Sequence, residues 1–305
     1  MPNITYIDRQ TKKKEIEKVY KEKAIRFLYG NQWPSLFAKY SLLPFVAKSS
    51  FFSCFYGYLQ KLPSSAKKIV PFIQHFNIDP AEFANKVEEY GSFNDFFIRK
   101  LKPEARPIDS TIQTAVIPAD GRYYFYADIS KCPGFIVKGK KFELDMLLAN
   151  PQLAEKYCEG SMVLARLCPS DYHRFHFPCD CVPGKTKMIN GFLYSVNPIA
   201  VKKNIQIFVE NKRNICELSS KVFGNILYME IGATNVGSIQ ETYSPGKFYA
   251  KGAEKGYFEF GGSALILLFE KNAISFDADL LAATEEGFEI RCLLGQSMGR
   301  TNFFR

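Results

Sequence analysis

Apolar and polar positions alternate in two different ways along this chain. From Lys12 to about Pro103 the apolar residues recur at helical spacing. Lys13 to Tyr29 mixes charges with apolar residues in that rhythm, and Ser35 to Leu59 is rich in Phe, Tyr and Leu with interspersed Lys. Ile78-Asp79-Pro80 reads as a helix start, with Asp79 able to cap and Pro80 suited to the first turn; Phe83, Val87 and Tyr90 follow at helical intervals. After Lys102-Pro103 the texture changes to short strand-like runs punctuated by Gly, Pro and Asn. These runs are Ala115–Ile117, Arg122–Ala127, Met162–Leu167, Gly191–Val196, Ile205–Val209, Asn225–Ile231 and Ala264–Phe269, with one helix near Leu144–Tyr157. The pattern predicts an α+β fold, with a helical N-terminal region (1–103) followed by a β-rich domain (104–305).

Composition narrows this reading. Hydrophobic residues make up 47% of 305 positions, enough for a sizeable core, so a wholly disordered chain is excluded. The net charge of +9 suits a polyanionic partner, and without a zinc-finger or RNA-binding aromatic motif the expectation is a membrane face rather than nucleic acid. Eight cysteines form no CxxC pair, and the charged start MPNITYIDRQTKKKEIEK lacks the apolar stretch of a secretory signal, so a reducing compartment is expected. The most apolar stretch, Trp33 to Leu59, is interrupted by Lys39, Pro44 and Lys48. It reads as a surface lying in a bilayer interface, or as packed core helices, rather than as a span.

Three groups of residues could carry chemistry. Two of the three histidines, His173 and His176, lie in Asp171-Tyr172-His173-Arg174-Phe175-His176-Phe177-Pro178, and imidazole is the natural group for moving protons near neutrality. His75 reads as structural, and no third ligand at a recognisable spacing suggests a metal. Asp120, in Pro118-Ala119-Asp120-Gly121, is either a plain turn residue or the carboxylate that orients a histidine. Ser263 follows Gly261-Gly262 and opens the apolar run Ala264 to Phe269. Two glycines allow backbone torsions that could expose the Gly262 carbonyl to the serine hydroxyl, although on these residues alone a flexible turn is the default reading.

Taken in order, these segments resemble the phosphatidylserine decarboxylase family, which is made as a proenzyme. The matching stretches are Tyr90 to Pro103 (YGSFNDFFIRKLKP), Pro118 to Gly121, Asp171 to Pro178 (DYHRFHFP), Ser195 to Pro198, Glu210 to Arg213, Gly232 to Ile239 and Lys251 to Ser263 (KGAEKGYFEFGGS). The resemblance implies a self-cleavage triad of Asp120, His176 and Ser263, with His176 taking the Ser263 proton. Cutting between Gly262 and Ser263 would give a β subunit (1–262) and an α subunit (263–305), and Ser263 would become a covalent pyruvoyl cofactor. His173 would handle substrate and return a proton after carbon dioxide leaves. The implied partners are phosphatidylserine in the membrane and the two subunits of one precursor, with a homo-oligomer left open. The implied location is the cytoplasmic face of the cell membrane, as a peripheral protein. Position 264 is Ala where the family commonly carries Thr or Ser, which puts the rate of processing in question but leaves the nucleophile intact. Competing readings are a pyruvoyl decarboxylase of a soluble amino acid, a Ser-His-Asp hydrolase with an intact chain, and a non-enzymatic membrane-binding module.

Overall fold

The computed structural model describes residues 4–18, 50–131, 144–201, 206–233, 239–261 and 263–303. In chain order the strands are β1 (Thr5–Asp8), β2 (Lys14–Ile16), β3 (Thr114–Val116), β4 (Gly121–Tyr126), β5 (Ser161–Leu167), β6 (Arg174–His176), β7 (Val182–Pro183) and β8 (Lys187–Ile189). They continue as β9 (Arg213–Ser220), β10 (Gly224–Gly232), β11 (Ile239–Glu241), β12 (Glu254–Phe258), β13 (Ser263–Phe269), β14 (Ile274–Phe276), β15 (Glu289–Cys292) and β16 (Ser297–Thr301). The helices are α1 (Ser50–Lys61), α2 (Ile69–Phe76), α3 (Phe93–Phe97), α4 (Leu144–Leu148), α5 (Pro151–Tyr157), α6 (Pro198–Val201), α7 (Ile207–Glu210) and α8 (Ala278–Glu285).

The fold is α+β, and its centre is one large sheet in the order β2-β1-β15-β4-β5-β13-β10-β9-β7, with β8 also on β9. Only β1 with β15 pairs in parallel; the other pairs of this sheet are antiparallel. Strands β5, β10 and β13 are largely apolar on both faces because both are covered. One face carries Leu265, Leu267 and Phe269 against Phe175, Phe177 and Phe258 of a small sheet ordered β11-β12-β6. The other carries Ala264, Ile266 and Leu268 against Leu147, Leu148, Tyr157 and Phe208 from the short helices. A third sheet, β14-β16-β3, closes one end.

A helical cap forms a separate core from Ile69, Phe72, Phe93, Phe96 and Phe97, and this core includes Phe260. Ser92 caps α3 by accepting the Asp95 N–H at 3.1 Å, and Asn94 of α3 accepts the Phe260 N–H at 3.0 Å. The cap therefore grips the chain three residues before Ser263.

The structure corrects several local expectations. Lys14–Ile16 is a strand paired with β1, not the start of a helix; Val19 to Tyr29 and most of Trp33–Leu59 lie outside the described residues. Pro80–Glu82 is a single 3-10 turn, with the Ala81 N–H on the Asp79 carboxylate at 2.9 Å, rather than the start of a long helix. The helix expected over Leu144–Tyr157 is two, broken where Ala149 adopts φ 48° and Asn150 caps the second above Pro151. Gly191–Val196 is not a strand. Tyr194 spends its N–H on the Asn211 side chain at 3.0 Å, which leaves only an isolated bridge from Phe192 to Asn211. Ile207–Glu210 is a helical turn where a strand was expected, since a short apolar run fits either element.

Candidate active site

Ser263 begins β13 and is paired on both sides, with Gly232 of β10 and Leu167 of β5. Its hydroxyl is completely buried and has no hydrogen-bond partner among the described residues. Two residues earlier Gly261 adopts φ 149°, a region open to glycine and closed to other residues, so the glycine here permits the turn into the strand. Gly262 lies outside the described residues.

Asp171 organises the histidine segment. It accepts from Arg122 Nη1 at 2.5 Å and from the Cys168 N–H at 2.7 Å, which closes the Cys168–Asp171 turn. Burial raises the pKa of Asp171, but the Arg122 and Arg291 guanidinium groups and the hydrogen bonds from Arg122 and the Cys168 N–H together outweigh it and hold the carboxyl below its usual range. The fixed turn presents the Asp171 carbonyl to His173 Nδ1 at 3.0 Å. A carbonyl only accepts, so Nδ1 carries the proton and Nε2 keeps the lone pair. That Nε2 is buried and makes no well-formed hydrogen bond among the described residues, and the ring packs on Phe97 with centroids 3.9 Å apart. Burial pushes the imidazole down to about 4, and the Gly261 backbone is among the groups acting on it.

His176 ends β6. Its backbone N–H donates to the Pro118 carbonyl at 2.8 Å, which ties it to the segment carrying Asp120. Its ring stacks on Tyr172 at 5.8 Å, and its Nδ1 is buried without a partner. Burial pushes it to about 4 as well, while Glu254 and Asp120 act in the opposite sense. Both histidines are therefore neutral near pH 7.

The Asp120 carboxylate is fully engaged elsewhere. Arg106 reaches it through Nε at 3.0 Å and Nη2 at 2.7 Å, and the Leu294 N–H donates at 2.8 Å. Among the described residues no hydrogen bond joins Asp120 to His176, or either histidine to Ser263. The structure brings Asp120 and His176 onto adjoining segments, and His173 beside Gly261. His75 stands apart, its ring against Phe76.

Sequence reasoning missed several buried ionic groups. Arg106 was one, because a guanidinium in KLKPEARP reads as surface charge. Another is the pair of Lys255 Nζ and Glu230 Oε1 at 2.6 Å, completely buried between the two sheets under Phe175, Tyr228 and Tyr243. Burial raises Glu230 to about 7 although Lys255 opposes it. A signal was present: Glu230 interrupts the apolar run Leu227 to Ile231. Among the described residues no group of three His, Cys, Asp or Glu side chains could hold a metal. A cavity of about 440 Å³ opens beside Asp120 and is lined by Arg99, Arg106, Arg122, Asp171, Tyr172 and Arg291, among others.

A family model for phosphatidylserine decarboxylase matches residues 93–300, which span α3, the small sheet that carries His176, and Ser263. The chain belongs to the phosphatidylserine decarboxylase family. Similar members carry the name phosphatidylserine decarboxylase proenzyme. One from Chlamydia pneumoniae is 52% identical over 301 residues, covering 99% of this chain and 98% of that protein. One from Chlamydia caviae is 48% identical, covering 99% of each chain, and one from Chlamydia trachomatis is 44% identical, covering 97% of each. A family of decarboxylase proenzymes fits the state of Ser263, whose hydroxyl has no structural bond to lose if it is consumed in processing.

Proposed function

We propose that this chain cuts itself between Gly262 and Ser263, and then decarboxylates phosphatidylserine to phosphatidylethanolamine using a pyruvoyl group made from Ser263. The observation that carries this reading is a buried serine hydroxyl without a hydrogen-bond partner among the described residues, two residues after the glycine-only torsion of Gly261, whose backbone acts on the neutral His173, in a decarboxylase family of proenzymes.

In the first stage His176 accepts the Ser263 proton while Oγ attacks the Gly262 carbonyl, and the amide becomes an ester. Asp120 stabilises the imidazolium, which requires its carboxylate to share its hold on Arg106. Elimination then gives a Gly262 carboxylate and a dehydroalanine at 263. Water hydrolyses the imine tautomer of that dehydroalanine, ammonia leaves, and the pyruvoyl ketone remains. Ketone chemistry supplies the electron sink that decarboxylation of an amino acid needs. In turnover His173 Nε2, with Nδ1–H held by the Asp171 carbonyl, is the atom that takes up a proton and returns it to the substrate α-carbon.

We assign residues 1–103 to membrane association and 104–305 to catalysis. Exposed Phe55 and Tyr58 on α1 and Val70 on α2, together with a net charge of +9, support peripheral binding to an anionic cytoplasmic leaflet. No helix among the described residues is long and apolar enough to cross a membrane. The test is carbon dioxide release from carboxyl-labelled phosphatidylserine in mixed micelles, compared with free L-serine. Release from the lipid supports the reading; release from L-serine alone, or from neither, refutes it.

A further inference from the structure

The cavity beside Asp120 is lined by one buried cation that has no ion pair among the described residues. Arg106 faces Asp120 and Glu82, Arg122 faces Asp171, and Arg291 faces Asp8. Among the described residues no carboxylate forms an ion pair with Arg99. Its guanidinium donates only to the carbonyls of Phe96, Ser170 and Asp171, at 3.5, 3.2 and 3.4 Å. Among the described residues its Nε has no hydrogen-bond partner, although the residue is only 4% exposed. The rings of Phe83 and Phe96, 5.2 and 4.8 Å from the guanidinium carbon, soften this burial but do not neutralise it. A buried guanidinium that lines a cavity and feels Asp120 and Asp171 only from beyond ion-pair distance is poised for an anion, and its planar fork suits phosphate oxygens.

The position of Arg99 says which anion. The Asp171 carbonyl accepts from Arg99 Nη2 at 3.4 Å and faces His173 Nδ1 at 3.0 Å, so guanidinium and imidazole flank a single oxygen atom. In phosphatidylserine only two carbons separate the phosphodiester from the amine. A phosphate on Arg99 would leave the amine and carboxylate free to extend past His173. The reverse arrangement, with the departing carboxylate held by a guanidinium, would stabilise the ground state and oppose loss of carbon dioxide.

We propose that Arg99 binds the phosphodiester of the phosphatidylserine headgroup in this cavity. The proposal rests on the decarboxylase reading for the identity of the lipid, but the anion site itself can be tested without turnover.

Glycerophosphoethanolamine carries the phosphodiester without a carboxylate; L-serine carries the carboxylate without a phosphate. Calorimetry on the uncut Ser263→Ala protein should detect binding of glycerophosphoethanolamine, lost in Ser263→Ala/Arg99→Gln, and none of L-serine. In the mature enzyme Arg99→Gln should raise KM for phosphatidylserine by about 10- to 100-fold with a much smaller change in kcat. Should Arg99→Gln fail to fold, Ser170→Asp tests the same point. Ser170 is half-buried, lines the cavity and accepts from Arg99 through its carbonyl, so a carboxylate there would occupy the guanidinium and raise KM likewise. Binding of L-serine in place of glycerophosphoethanolamine, binding of inorganic phosphate alone, or an unchanged KM in Ser170→Asp would overturn the proposal. A wild-type enzyme inactive on the lipid, yet with Arg99-dependent phosphodiester binding, would refute the decarboxylase reading and leave the anion site standing.

Discussion

His173 and His176 stand three positions apart but answer to different neighbours. His173 is held by the Asp171 carbonyl and Phe97 beside Gly261; His176 is tied to Pro118 and stacked on Tyr172. Distinct settings predict separable roles. His176→Ala should mature slowly or not at all, whereas His173→Ala should be cut normally and lose turnover; denaturing gels and the micelle assay read the two effects. Equal loss of both would argue against the division. The same burial sets an acid limit. Each imidazole titrates near 6.5 when free and near 4 in the fold, so the unfolded chain gains protons first as the pH falls. Their stabilising contribution is complete above 6.5 and is lost as pH drops towards 4, by roughly 3 kcal/mol per histidine. Melting temperatures of the Ser263→Ala protein between these pH values should fall less steeply when His173 or His176 is replaced by Gln; an unchanged slope would contradict the assignment of burial as the cause.

At the scale of elements, the small sheet is what carries the histidines to the large one. Strand β12 pairs with β6 and shifts register between Glu254 and Gly256, which turns Lys255 inward to Glu230. Gly256 makes this approach feasible. A Cβ there would lie 2.2 Å from the Gln240 carbonyl oxygen and 2.7 Å from the Phe175 ring. Gly256→Ala should therefore destabilise the protein by about 1–3 kcal/mol and slow its maturation, measured by urea unfolding of the uncut form and by the rate of cutting. Stability equal to the parent would show that the two strands have room to move apart. These features also mark where the sequence could be read. Strands β5, β10 and β13 were legible because long apolar runs bounded by Gly announce a strand covered on both faces. Strand β1 was not, since four residues (TYID) are too few to distinguish a strand edge from a helical start, and its pairing with β15 is a contact across nearly the whole chain. The short apolar stretch at Ile207–Glu210 carried no period long enough to separate helix from strand. The histidines stood out as a rare residue type, whereas Asp120 and Ser263, each readable as part of a plain turn, were singled out by the resemblance of their segments to the family. Arg99 and Arg106 did not, because burial of an arginine depends on folds that local sequence does not record.

Over the whole molecule, a cut ahead of Ser263 would divide the chain without dividing the fold. The segment that begins at Ser263 supplies β13 to the middle of the large sheet, where it pairs residue by residue with β5 from Ser263–Phe269 against Leu167–Ser161 and with β10 over the same length. It also supplies β15 between β1 and β4, and β16 next to β3. A cut chain should therefore remain one particle, held by sheet pairing and by both apolar cores. The measurement that bears most directly on all of this is intact mass spectrometry of the purified protein, run under native and then denaturing conditions. The expected result is a single complex that separates on denaturation into two chains, the smaller beginning at position 263 with a carbonyl-reactive group and no free amine. One full-length chain, unreactive towards carbonyl reagents however long it is incubated, would contradict the account.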